Sequence, residues 1–118
     1  MNMLLVMLGG ALGAGLRYGC AQLVSAPLSA LLVNVLGCLI MGLLAGFGAH
    51  VDALTPQLRL FLLVGVLGGF TTFSAFSLDV LLLVERGQLT SAAAYVGASV
   101  LLSLFAVFAG LWLVKALA

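Results

Sequence analysis

Gly68-Gly69-Phe70-Thr71-Thr72-Phe73-Ser74-Ala75-Phe76-Ser77-Leu78-Asp79 lies inside a long apolar run. Adjacent glycines, threonines, serines and a nearby carboxylate are out of place at membrane depth. In hydrocarbon no water is available to an open peptide group, so backbone that leaves the helical ladder must find partners in the protein or at a polar cavity. A broken membrane helix of this kind marks a binding site or a pathway.

The sequence around this stretch is that of a membrane protein. The chain has 118 residues, 65% hydrophobic and 6% charged, with a mean hydropathy of +1.41, where soluble domains average about 25% charged residues. A bilayer core of about 30 Å takes about 20 apolar residues per helix. The sequence divides into four such runs, predicted at residues 3–24, 28–49, 58–84 with a break near 68–73, and 90–117. One all-α transmembrane domain fills the chain. The first run has no Lys or Arg ahead of it and no clear cleavage site, so it reads as a retained helix rather than a signal peptide.

Orientation follows the Lys/Arg bias between loops. Arg59 and Lys115 fall towards one side of the membrane, Arg17 and Arg86 towards the other. Balanced charge predicts insertion both ways up, and an antiparallel homodimer follows. Glycines at four-residue spacing (Gly9 and Gly13, Gly15 and Gly19, Gly42 and Gly46, Gly65 and Gly69) let neighbouring helices approach closely. Pro27 suits the first position of the second helix. Trp112 and Lys115 suit the interface at the end of the fourth.

The deep polar residues are Asn34, Thr71, Thr72, Ser74, Ser77, Tyr95, Ser99 and Ser103. None is a carboxylate, histidine or lysine, which argues against proton-coupled transport and against hydrolytic or metal-dependent catalysis. Ser91, Tyr95, Ser99 and Ser103 recur every four residues, and such a row at membrane depth more plausibly lines something polar than faces lipid. Ser can also bond to the i−4 carbonyl, and a transmembrane Asn such as Asn34 often serves as interhelical glue. Phe70, Phe73 and Phe76 form an aromatic stripe beside Thr71, Ser74 and Ser77. Ring edges are positive, so Phe73 and Phe76 can meet an anion edge-on, although packing alone also explains such a stripe. The break leaves carbonyls without helical partners, which a cation would satisfy. Arg17 reads equally as a snorkelling side chain or as a charge that gathers anions in a vestibule. Asp79 suits a vestibule or a solvated edge. Cys20 and Cys38 read as small packing residues, and a metal role for His50 is not supported by spacing.

The sequence resembles the CrcB/Fluc family of fluoride channels. The resemblance rests on Gly9-Gly10-Ala11-Leu12-Gly13-Ala14 with Arg17-Tyr18, on Val33-Asn34 with Gly37 and Gly42, and above all on Gly68 to Ser77. It implies a dual-topology homodimer in a prokaryotic inner (plasma) membrane, with two antiparallel fluoride pores. Asn34, Phe73 and Phe76 would contact fluoride, Ser74 would join the lining, and Tyr95, Ser99 and Ser103 would form a polar track. It also implies a structural Na+ on the dimer axis, held by the carbonyls of Gly68 and Thr71 from both subunits. The sequence departs from the family at Ser29-Ala30, commonly Gly-Thr, at Leu39, commonly aromatic, and at Asp79, usually Glu. The expected function is passive fluoride export that lowers toxicity, with no enzyme activity and no nucleic-acid partner. The alternatives are a small multidrug-type transporter, which would need a membrane-embedded carboxylate in the first helix, and a non-conducting assembly subunit.

Overall fold

The computed structural model describes residues 1–50 and 54–117, without the His50 side chain. The expectation for His50 and the residues at 51–53 lie outside this set. Four helices are long and apolar enough to cross a membrane: Asn2–Leu23, Leu28–Ala49, Pro56–Glu85 and Leu89–Leu117. Among the described residues there is no strand. The third of these spans is two helices in one. We label the elements α1 (Asn2–Leu23), α2 (Leu28–His50), α3 (Pro56–Arg59, continuing through Leu60–Leu67 and Gly68–Phe70), α4 (Ser74–Glu85) and α5 (Leu89–Leu117).

Local chemistry sets the ends of these elements. Pro27 stands just ahead of α2 rather than within it. At the start of α3, Thr55 Oγ1 accepts from the Leu58 N–H at 3.2 Å and Pro56 occupies the first turn, where its missing N–H costs nothing. Within α3, Leu60–Leu67 is π-helical, and the Gly68 N–H reaches back to the Leu63 carbonyl. The α4–α5 turn closes on Gly87 at φ 74°, with Gly87 N–H to Val84 O at 3.0 Å and Gln88 N–H to Leu83 O at 2.9 Å. That pair of bonds ends a helix by turning it left-handed, a conformation open to glycine. The sharp turn sets α5 antiparallel to α4.

Packing pairs α1 with α3 and α2 with α5. In the first pair backbone lies against backbone. A Cβ on Gly9 would sit 2.9 Å from Gly65 Cα, and one on Gly69 would sit 2.5 Å from the Gly10 carbonyl oxygen. In the second pair Gly42 abuts the Val107 carbonyl and Gly110 abuts the Leu39 carbonyl. Gly68 and Gly69 are therefore helical residues, and Gly69 serves a close approach rather than the break itself. The chain leaves the helix at Thr71, where φ is −82° and ψ 159°, and re-enters at Ser74. Gly15, Gly19 and Gly97 face open space in the single chain. The core is thin, with Val33, Ala30, Leu67 and Phe70 buried, while Phe105, Phe108 and Trp112 are exposed on α5. That outward apolar surface suits a helix bundle whose solvent is lipid.

Candidate functional site

The Thr71–Phe73 break is held open by side chains. A continuous helix would send the Thr72 N–H to the Gly68 carbonyl and the Ala75 N–H to the Thr71 carbonyl. The Thr72 N–H instead donates to Asn34 Oδ1 at 2.7 Å, and the Ala75 N–H donates to Thr72 Oγ1 at 3.1 Å. Asn34 Nδ2 completes a two-bond clamp by donating to the Thr72 carbonyl at 2.9 Å. Arg17 Nε donates to the Gly69 carbonyl at 3.2 Å, and Thr71 Oγ1 donates to the Leu67 carbonyl at 3.0 Å. Ser77 Oγ donates to the Phe73 carbonyl at 2.9 Å on the far side. These bonds leave Gly68 and Thr71 without the donors that helix geometry would have given their carbonyls.

Beside the break lies an open cavity of about 310 Å³. From α2 come Asn34 and Cys38, one helical turn apart; from α5 come Ser99 and Ser103, also one turn apart, with Val100 and Leu104. Thr71, Thr72 and Phe73 of the break and Phe76 of α4 close the remaining wall. Ser99 Oγ and Ser103 Oγ are both buried and without a hydrogen-bond partner. Tyr95 and Cys38 lie near them, but neither pair reaches hydrogen-bond geometry. Buried hydroxyls are ordinarily satisfied, so two that are not, on one wall, point to something that completes them. The rings of Phe73 and Phe76 lie 5.4 Å apart at 56°, a tilt that offers ring edges to the cavity as well as faces.

Five of the seven pore positions read from the sequence (Asn34, Phe73, Phe76, Ser99 and Ser103) thus lie on one cavity. The other two, Tyr95 and Ser74, do not line it. Tyr95 is buried against Phe76, ring centroids 5.3 Å apart, and its hydroxyl donates to Asp79 Oδ2 at 3.0 Å. Ser74 is exposed, with its Oγ 3.3 Å from Thr72 Oγ1. Arg17 lines a second, smaller cavity of about 130 Å³ together with Ser29, Thr72 and Asp79. Phe73 is 77% exposed in the single chain, on a stretch whose neighbours are busy with polar contacts. One wall residue was read only as packing: Cys38 sits one turn beyond Asn34, and that spacing was the available signal. Thr72 was read as a deep polar residue, but its backbone bonds to Asn34 are not revealed by residue type alone. Among the described residues no cluster of His, Cys, Asp and Glu could hold a metal ion.

A family described as "CrcB-like protein, Camphor Resistance (CrcB)" matches residues 4–111. A protein of Rhodospirillum centenum named fluoride-specific ion channel FluC is 56% identical over 98% of this chain and 97% of its own length. Proteins of the same name from Rhizobium meliloti and Paracoccus denitrificans are 52% and 54% identical, over 98% and 90% of this chain and 98% and 88% of theirs. These relatives are ion channels, not enzymes. Matched along nearly its whole length by both routes, the chain belongs to the CrcB family.

Proposed function

We propose that this chain is a fluoride-specific channel that lets fluoride leave a prokaryotic cytoplasm down its gradient, across the inner (plasma) membrane. The observation that carries the reading is the pair of unpartnered hydroxyls, Ser99 Oγ and Ser103 Oγ, in a cavity that also holds Asn34 and the tilted Phe73–Phe76 pair. A small anion entering this cavity exchanges water for hydroxyl hydrogens, aromatic edges and the second Nδ2 hydrogen of Asn34, the one not given to Thr72. All of these donors are uncharged. They hold the anion loosely enough for it to leave again, as conduction requires. Arg17, at the smaller cavity, supplies the positive charge that gathers anions near the entrance.

The working unit on this reading is an antiparallel homodimer with two pores. Supporting it are the balanced basic residues on the two sides and the exposure of Phe73, whose ring needs a further surface to complete the wall. A structural Na+ fits the carbonyls of Gly68 and Thr71. Both have lost their helical donors, Gly68 is exposed on the surface of the chain, and carbonyl oxygen suits a hard cation. When bound, the ion supplies fixed positive charge that ties two copies together at their breaks.

The test is efflux from liposomes carrying the purified protein, read with a fluoride electrode, with valinomycin to carry compensating K+ and chloride as the control. Rapid fluoride release with negligible chloride release is expected. Equal release of both anions overturns the selectivity, and no release from folded protein favours the non-conducting assembly subunit.

A further inference from the structure

Gly37 is buried on α2, about one turn beyond Asn34, and meets the break rather than a neighbouring long helix. A Cβ built on it would collide with the Thr71 γ-methyl, while lying in ordinary contact with Phe70 Cδ2 at 3.4 Å. The Thr71 methyl therefore fills the space that a side chain at position 37 would need. Two things keep it there. Thr71 Oγ1 donates to the Leu67 carbonyl at 3.0 Å, so turning the side chain to take the methyl elsewhere takes the hydroxyl off that carbonyl, and a β-branched residue has few other staggered positions. The Asn34 clamp ties the next residue, Thr72, to α2 through bonds of 2.7 and 2.9 Å, so α2 cannot recede without stretching both. Thr71 and Asn34 both line the larger cavity, and either movement changes its wall.

We propose that Gly37 is a positioning residue for the break: its missing side chain is the seat of the Thr71 γ-methyl, and this seat holds Thr71 and the Asn34 clamp in the arrangement that keeps the cavity open to an anion. Asn34 draws the break onto α2, and Gly37 lets it arrive. The consequence for fluoride rests on the channel reading; the seat does not. Gly37→Ala gives two methyls one space. Relief comes by turning Thr71 off the Leu67 carbonyl or by parting the clamp, and the Thr71 carbonyl assigned above to Na+ shifts with it. Thr71→Ser in the same chain removes the γ-methyl, keeps a hydroxyl for the Leu67 carbonyl, and leaves the space to the new β-carbon at position 37. Together the two substitutions move one methyl across the contact and conserve its volume, the kind of exchange a packed interior tolerates best.

The experiment compares reconstituted parent, Gly37→Ala, Thr71→Ser and the double variant, reading hydrogen exchange across residues 70–76 in lipid nanodiscs and fluoride efflux from liposomes. In Gly37→Ala, exchange across 70–76 should rise about tenfold and efflux should fall by about as much. The double variant should return both to the values of Thr71→Ser alone. Gly42→Ala is the control for a clash elsewhere on α2: it meets the Val107 carbonyl, and adding Thr71→Ser to it should restore nothing. Parental exchange in Gly37→Ala overturns the seat, and so does raised exchange that Thr71→Ser does not lower. Efflux that does not follow exchange, in the single or the double variant, overturns the positioning role. If Gly37→Ala does not fold, the double variant decides: folding with the exchange of Thr71→Ser supports the seat, and failure to fold while Thr71→Ser folds overturns it. If the parent releases no fluoride, the channel reading fails, and the exchange measurements still decide the seat.

Discussion

Replacing Asn34 by alanine removes both bonds that hold Thr72 out of the helical ladder, and the cost can be worked from the structure. The Thr72 N–H loses its acceptor at 2.7 Å and the Thr72 carbonyl loses its donor at 2.9 Å. Each part-buried group left open costs about 1–3 kcal/mol. The cavity beside Thr72 can admit water, so the low end applies: about 2 kcal/mol for the two groups, or about thirtyfold in the opening equilibrium. Hydrogen exchange read by mass spectrometry in lipid nanodiscs measures this locally. Peptides covering residues 70–76 of Asn34→Ala should exchange about thirtyfold faster, while those from the α2–α5 seam around Gly42 keep their protection. Asn34→Asp separates the clamp from the anion path. It keeps an acceptor for the Thr72 N–H but sets a carboxylate against the Thr72 carbonyl and into the cavity, so fluoride efflux should fall to background in protein that still folds. Unchanged exchange across 70–76 in folded Asn34→Ala would refute the reasoning, because the clamp would then carry no free energy.

Phe73 and Phe76 should separate flux from stability. Phe76→Ala empties a buried position packed on both Phe73 and Tyr95 and should cost about 3–5 kcal/mol, visible as a lowered melting temperature in detergent. Phe73→Ile, at an exposed ring, should leave the single chain's stability nearly unchanged but abolish fluoride efflux. Gly42→Ala drives a methyl into the Val107 carbonyl and should destabilise by about 1–3 kcal/mol; Gly97→Ala, with open space, should be neutral or gain up to about 1 kcal/mol from helix propensity. If the proposed homodimer is tied by Na+, exchanging Na+ for N-methylglucamine should promote subunit dissociation on dilution in detergent; identical behaviour in both media would remove the cation from the assembly.

The four spans were legible because hydrocarbon demands length and apolarity and little else. Where the polar stretch interrupts the third span was legible from Thr71, Thr72 and Ser74, but its cause was not. The glycine pair drew attention as the breaker, whereas Gly69 is helical and answers to Gly10 on a neighbouring helix; the spacing of Gly65 and Gly69 pointed to a close approach but not to its partner. The π-helical turn at Leu60–Leu67 carries no signal, since a uniformly apolar run has no pattern to slip against. In the candidate site, four-residue spacing put Ser99 and Ser103 on one face, but it also put Tyr95 there. The Tyr95 hydroxyl instead turns to Asp79, a pairing between α4 and α5 that no spacing within one helix can show.

The seam between α1 and α3 is made of glycine backbone, and that sets how the molecule meets heat. Ordering a side chain costs up to about 2 kcal/mol of rotamer freedom, a cost that grows with temperature, while glycine pays none of it. A seam of Gly9 on Gly65 and Gly10 on Gly69 has no rotamers to release on warming. The joint between α4 and α5, made by Phe76, Tyr95 and Asp79, has several. Warming is therefore expected to loosen the side-chain joint between α4 and α5 before the backbone seam of α1 and α3, and hydrogen exchange followed against temperature should show the Ser74–Glu85 amides losing protection first.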